Sequence, residues 1–167
     1  MATEQADKPA ALPDGYGTVT PWIVTRDTAQ LLEFMRAAFD AEETVRFHNE
    51  DGSVGHAEAV IGNSVVMMFD ARAEWTSTPA LIRLYVEDGD ATFRKAVEAG
   101  GVPMTEMTEL AWGDRVGRVR DPLGNVWWIQ CRLAELNPVQ MTERAEDPKF
   151  QEAMRYMQES LDLTAQV

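Results

Sequence analysis

Ile61-Gly-Asn-Ser-Val-Val-Met67 and Leu123-Gly-Asn-Val-Trp-Trp128 set the same Gly-Asn turn before a strand-like run, once in each half of the chain. The segments leading up to the two turns also correspond. Before the first turn, Thr18 to Thr25 reads as a strand, with Pro21 tolerated where its missing N–H is not needed. Asp27, with Gln30 three residues on, forms a capping box for a helix whose Leu31, Phe34, Met35, Ala38 and Phe39 share one face. Glu43 to His48, Val54 to Ile61 and Ser64 to Phe69 follow as strands joined by the hairpin connections 49–53 and 62–63. In the second half, Ala80 to Glu87 is strand-like and Asp90 caps a helix carrying Phe93, Ala96 and Val97. Gly100-Gly101 ends that helix in the left-handed cap that glycine adopts cheaply. Three strands near Met104 to Leu110, Gly117 to Arg120 and Val126 to Cys131 complete the second set. The order β-α-β-β-β therefore occurs twice, a weak internal repeat with its landmarks at equivalent places.

This pattern predicts an α+β fold of two βαβββ modules, residues 17–71 and 79–131. Residues 1–15 include Pro9, Pro13 and Gly15 with little apolar content, and are expected to be a flexible lead-in. Residues 137–167 are expected to be a C-terminal helical extension. In it Asp147 and Pro148 start a helix on which Phe150, Ala153, Met154, Met157 and Leu161 form one apolar stripe. Such a stripe is expected to pack on the core or across a homodimer interface.

The chain has 167 residues, enough for one substantial core. Lys plus Arg number 15 against 28 Asp plus Glu, a formal charge of −13 that repels nucleic acid. The lone Cys131 cannot form an intramolecular disulfide, which favours the reducing cytoplasm. No apolar run approaches the roughly 18 residues of a membrane span, and the N-terminus lacks the apolar core of a signal peptide.

Val19-Thr-Pro-Trp-Ile-Val24, Gly55-His-Ala-Glu58 with Ile61-Gly-Asn-Ser64, and Trp112-Gly-Asp-Arg115 before Arg120-Asp-Pro-Leu-Gly-Asn-Val-Trp-Trp128 occur in an order specific enough to carry a resemblance. Over residues 16–136 the chain resembles the PhnB-like branch of the vicinal oxygen chelate superfamily, which includes glyoxalases, bleomycin-resistance proteins and extradiol dioxygenases. The resemblance implies modules that pair into curved mixed sheets around a cavity, with helices outside, and a homodimer.

Strand alternation sorts side chains onto the two faces of each sheet. Ile82, Leu84 and Val86 suit the helix side, which leaves Leu81, Arg83 and Tyr85 for the cavity. His56 and Glu58 share one face of their strand, opposite Ala57, Ala59 and Ile61, and are candidate acid and base. Thr20 and Trp22 fall together on the first strand, as do Trp128 and Gln130 on the last, while Trp127 is expected in the core. With Met67 and Trp112 these residues give an aromatic ligand site with a few polar points. Asp114, Arg115, Arg118, Arg120 and Asp121 are expected to form turn and surface ion pairs.

Metal-using members of the superfamily place His or Glu ligands at positions that carry over to Thr20, Met67, Leu81 and Trp128. None of these four is a good donor for a hard or borderline divalent cation, so no metal and no other cofactor is expected there. The leading expectation is metal-independent binding of a small organic ligand, an aromatic natural product or antibiotic. The alternative is a lyase or isomerase using His56 and Glu58, with or without a metal held elsewhere. A third possibility is a role in assembly with a partner, the pocket being vestigial.

Overall fold

The computed structural model describes residues 10–76 and 78–161. Most of the lead-in expected over 1–15, and the last six residues of the C-terminal extension, lie outside the described residues. Within them the two modules follow in order: β1 (Trp22–Thr25), α1 (Thr28–Phe39), β2 (Glu42–His48), β3 (Val54–Ile61) and β4 (Ser64–Asp70), then β5 (Leu81–Tyr85), α2 (Gly89–Glu98), β6 (Val102–Pro103), β7 (Thr108–Glu109), β8 (Asp114–Arg120) and β9 (Val126–Arg132). Helices α3 (Pro138–Glu146) and α4 (Pro148–Glu159) close the chain. The first sheet runs β1-β4-β3-β2 and the second β5-β9-β8-β6, with β7 also on β8. Strands β1 and β4 are parallel, as are β5 and β9, while the remaining pairs are antiparallel.

Local chemistry sets the boundaries. The Asp27 side chain caps α1 by accepting from the Gln30 N–H, as expected, and Asp40 ends the helix at φ 54°. Strand β1 starts at Trp22 rather than Thr18. Pro21 lacks an N–H, and its carbonyl accepts the last bond of that edge from Met67. Helix α2 is capped by Asp88 and not by Asp90: the Asp88 carboxylate accepts from the Ala91 N–H. Asp90 sits inside the first turn and pairs with Arg115 at 2.8 Å. Gly100, at φ +99°, supplies the expected left-handed stop. The single strand expected over Met104 to Leu110 is instead split into β6 and β7. Pro103 cannot extend a ladder, and the Thr105 hydroxyl takes the Arg118 N–H at 2.9 Å.

The core lies between the helices and the inner faces of both sheets. Leu31, Phe34, Met35, Ala38 and Phe39 of α1 are all buried, as the helical period required, and Ala57, Ala59 and Met68 meet them from the first sheet. Trp127 joins the modules: its ring centroid lies 4.7 Å from Phe39 and 6.4 Å from Phe34. Its Nε1–H donates to the Asp121 carboxylate at 2.9 Å. That carboxylate is 1% exposed and also accepts from Leu123, Asn125 N–H and the Asn125 amide. Burial raises its pKa, and the donors around it oppose the rise. Asp114, Arg118 and Arg120 are likewise buried. The expected part-exposed ion pair is found at Arg115, which meets Asp90, whereas Asp114, Arg118, Arg120 and Asp121 lie in the interior and not on the surface. An uninterrupted β8 with a helix on one face and α4 on the other leaves Asp114, Arg118 and Arg120 little solvent.

The apolar stripe beginning at Phe150 does rest on the body of the molecule. Met157 is 2% exposed and packs with Leu110 and Val116, flanked by Trp112, Trp128, Ala153 and Met154. Leu161, at the end of the expected stripe, stays exposed. A second helix, α3, was not expected. Asn137 and Gln140 form its capping box and Pro138 occupies its first turn.

Candidate functional site

The outer face of the first sheet gathers an acid–base cluster in an aromatic setting. In the ladder, Trp22 of β1 stands beside Met67 of β4, which stands beside Glu58 of β3. Alternation along β3 buries Ala57 and Ala59 and turns His56 and Glu58 the other way. His56 Nε2 lies 2.9 Å from Glu58 Oε1, and the Tyr16 hydroxyl donates to Glu58 Oε2 at 2.5 Å. The Tyr16 hydrogen bond, then that of His56, holds the Glu58 carboxyl below the usual glutamate range. The same bond to Glu58 raises the pKa of the Tyr16 phenol.

Aromatic rings surround this triad. Trp22 is tilted against Phe69 at 5.1 Å, Phe69 meets Trp75 edge-on at 6.0 Å, and Phe47 lies over His56 at 6.4 Å. Trp22 and Phe47 are 64% and 66% exposed, so each presents an apolar surface. A cavity of about 400 Å³ opens beside Trp22, between Arg26, Trp75 and Pro79. A carboxylate held ionised beside an imidazole can take up or relay a proton, and exposed rings can stack a flat ligand.

The second sheet brings together the other group. Arg83, Trp128 and Arg118 form one cross-strand row, and Tyr85, Gln130 and Val116 the next. The Gln130 amide donates to the Tyr85 hydroxyl at 3.1 Å and also to Asp114. Helix α4 covers the β8 side of this face, where Trp112 and Trp128 pack, whereas Leu81 and Tyr85 remain exposed. Ile82, Leu84 and Val86 pack toward the helices, as alternation required.

The expected site residues thus fall on two sheets: Trp22, Met67, His56 and Glu58 on the first, Leu81, Arg83, Tyr85, Trp112, Trp128 and Gln130 on or against the second. Thr20 precedes β1 and has no strand partner. Tyr16, Phe47, Phe69 and Arg118 were missed. Tyr16 stood in the Gly15-Tyr-Gly17 lead-in with no period to orient it. Phe47 and Phe69 follow from alternation once the register is known, and Arg118 looked like one charge in a surface run.

The register also bears on the metal. Trp22, not Thr20, stands beside Met67, and Arg83, not Leu81, stands beside Trp128. An indole, a thioether, a guanidinium and a second indole do not form a divalent-cation shell. Among the described residues no three His, Cys, Asp or Glu side chains come together to hold an ion. The residues present do not fit the superfamily's metal.

Comparisons with known proteins agree with this architecture. The chain is 34% identical over 130 residues to the Mycobacterium tuberculosis protein Rv0887c, covering 71% of this chain and 76% of that one. Among solved structures, TioX from Micromonospora sp. ML1 superposes with a TM-score of 0.59 at 21% identity, covering 68% of this chain and 97% of its own. A PhnB protein from Bacillus cereus gives 0.56 at 21% identity, with 71% and 100% covered. The fosfomycin resistance protein FosX from Mesorhizobium loti gives 0.52 at 17%, with 78% and 98% covered. The model for the Glyoxalase/Bleomycin resistance protein/Dioxygenase superfamily matches residues 16–129, and the chain belongs to that family.

Proposed function

We propose that this protein binds a small, flat organic molecule, an aromatic natural product or antibiotic, without a metal at the superfamily's usual place. The observation that carries this reading is the half-open aromatic face of Trp22, Met67, Phe69 and Phe47 around the Tyr16–Glu58–His56 triad. Large apolar groups left in water are costly, and a ring system laid on Trp22 recovers that cost while Glu58 and His56 fix its orientation. The binding domain is residues 16–136, with 137–167 an extension upon it. A symmetric dimer would cover exposed apolar surface outside this face, such as that of Val19 and Val102. The single cysteine supports a cytoplasmic location.

A second reading is favoured by the 2.9 Å His56–Glu58 pair: a lyase or isomerase in which the two act as base and acid. One experiment separates the readings. Bleomycin and a panel of aromatic antibiotics are titrated against the wild-type protein, Trp22→Ala and His56→Gln, with binding read by calorimetry and turnover by mass spectrometry. Binding predicts an unaltered ligand, with affinity lost by about tenfold or more in Trp22→Ala. Catalysis predicts an altered ligand and a turnover lowered on the order of 100-fold in His56→Gln. Affinity unmoved by Trp22→Ala would remove the first-sheet face from consideration.

A further inference from the structure

The second sheet holds an arrangement that the first-sheet reading does not use. The Arg83 and Arg118 guanidinium carbons each lie 4.3 Å from the Trp128 ring centroid, and the strand order β5-β9-β8 places one on each flank of the indole. Neither guanidinium meets a carboxylate among the described residues. Arg118 is only 3% exposed. One of its N–H groups donates to the Met157 carbonyl of α4 at 2.5 Å, while its Nε–H has no partner among the described residues. The Trp128 Nε1–H and the Gln130 amide oxygen, in the same and the adjoining row, are also buried without partners among the described residues.

A buried Arg118 that shares its ring with a second cation, with buried donors unpaired and no carboxylate to balance it among the described residues, is an unfavourable arrangement. Burial lowers the pKa of Arg118, and the charge of Arg83 lowers it further. The groups best placed to relieve this are anionic oxygens, which accept from guanidinium and indole N–H alike. Access is from the β5 side. There Arg83 is exposed, and Leu81 and Tyr85 are 57% and 62% exposed.

We propose that this row is a second ligand site, taking a small aromatic acid whose carboxylate or phosphonate accepts from Arg83, Arg118 and the Trp128 indole. The aromatic body of the acid lies over Leu81 and Tyr85. The site needs neither the Tyr16–Glu58–His56 triad nor Trp22, so it stands or falls apart from the function proposed above.

The test titrates phenylphosphonate into nitrogen-labelled full-length protein and follows the indole N–H signals, with that of Trp128 identified by Trp128→Phe. The signal of Trp128 is expected to shift saturably while that of Trp22 stays still. In Arg83→Gln, an exposed change that spares the fold, the affinity is expected to fall by about tenfold. A Trp128 signal that does not move, or equal affinity in Arg83→Gln, overturns the proposal. Inorganic phosphate binding as tightly as phenylphosphonate overturns its aromatic half.

Discussion

Glu58 carries two hydrogen bonds with different consequences for pH. Tyr16 supplies the larger stabilisation of the carboxylate and His56 the smaller, and together they hold its pKa below the ordinary glutamate value of 4.5. A carboxyl whose folded pKa is depressed stabilises the protein in full above its unfolded pKa. That stability is lost as the pH falls through the lower, folded value. Acid should therefore loosen the segment around Tyr16 from β3. The expected outcome is that Glu58→Gln removes this part of the acid sensitivity: wild type loses melting temperature faster than the variant as the pH drops below that range. Parallel melting profiles for the two proteins would show that the triad contributes nothing to folding. The same pair illustrates what a sequence can reveal at this scale. Strand alternation suffices to put His56 and Glu58 on one face, but the phenol that polarises Glu58 lies 42 residues away, in a segment without periodicity.

Helix α4 shows how an element can be readable while its position is not. The i, i+3, i+4 and i+7 spacing of Phe150, Ala153, Met154 and Met157 requires a buried stripe. Nothing in that spacing says what buries it, and the structure answers with Leu110, Val116 and Trp128. Both modules were legible because hairpin turns, glycine stops and the Asp27 cap are local signals, although the cap of α2 lies two residues earlier than expected, at Asp88. The β6–β7 break was not, because it depends on the Thr105 hydroxyl meeting Arg118 across a ladder. The buried state of Arg118 was hidden for the same reason, because charge reads as surface until α4 is seen over β8, and that of Asp121 because its donors, Asn125 and Trp127, are brought to it by its own turn and the last strand. Phe150 and Met157 are 7% and 2% exposed. At roughly 1.5–3 kcal/mol per buried large side chain, a chain ending at Asp147 should lose about 3 kcal/mol or more of stability. Calorimetric melting of the truncated chain checks this. An unchanged midpoint would mean that the helix rests on the sheet without stabilising it.

At the scale of the whole molecule, the two sheets carry different chemistry on equivalent faces, and neither retains the donors of a metal enzyme. The first pairs Trp22 with Met67 and the second pairs Arg83 with Trp128 at the corresponding rows. Zinc needs about three or four nitrogen, sulfur or carboxylate donors, and magnesium or manganese an oxygen-rich shell. A thioether is the one donor in these two pairs, and the positive charge of Arg83 repels a cation. The remaining donor pair, His56 and Glu58, is already engaged, with Glu58 Oε2 occupied by the Tyr16 hydroxyl. A cation binding there must break that bond and find a third ligand that the described residues do not bring near. Purified protein should therefore contain far less than one equivalent of zinc, iron, nickel or manganese by elemental analysis. Prolonged dialysis against a chelator should leave both its melting temperature and its affinity for an aromatic ligand unchanged. Stoichiometric metal that leaves together with ligand binding, and returns it when added back, would put a cation at His56 and Glu58 and make the lyase or isomerase reading the stronger one.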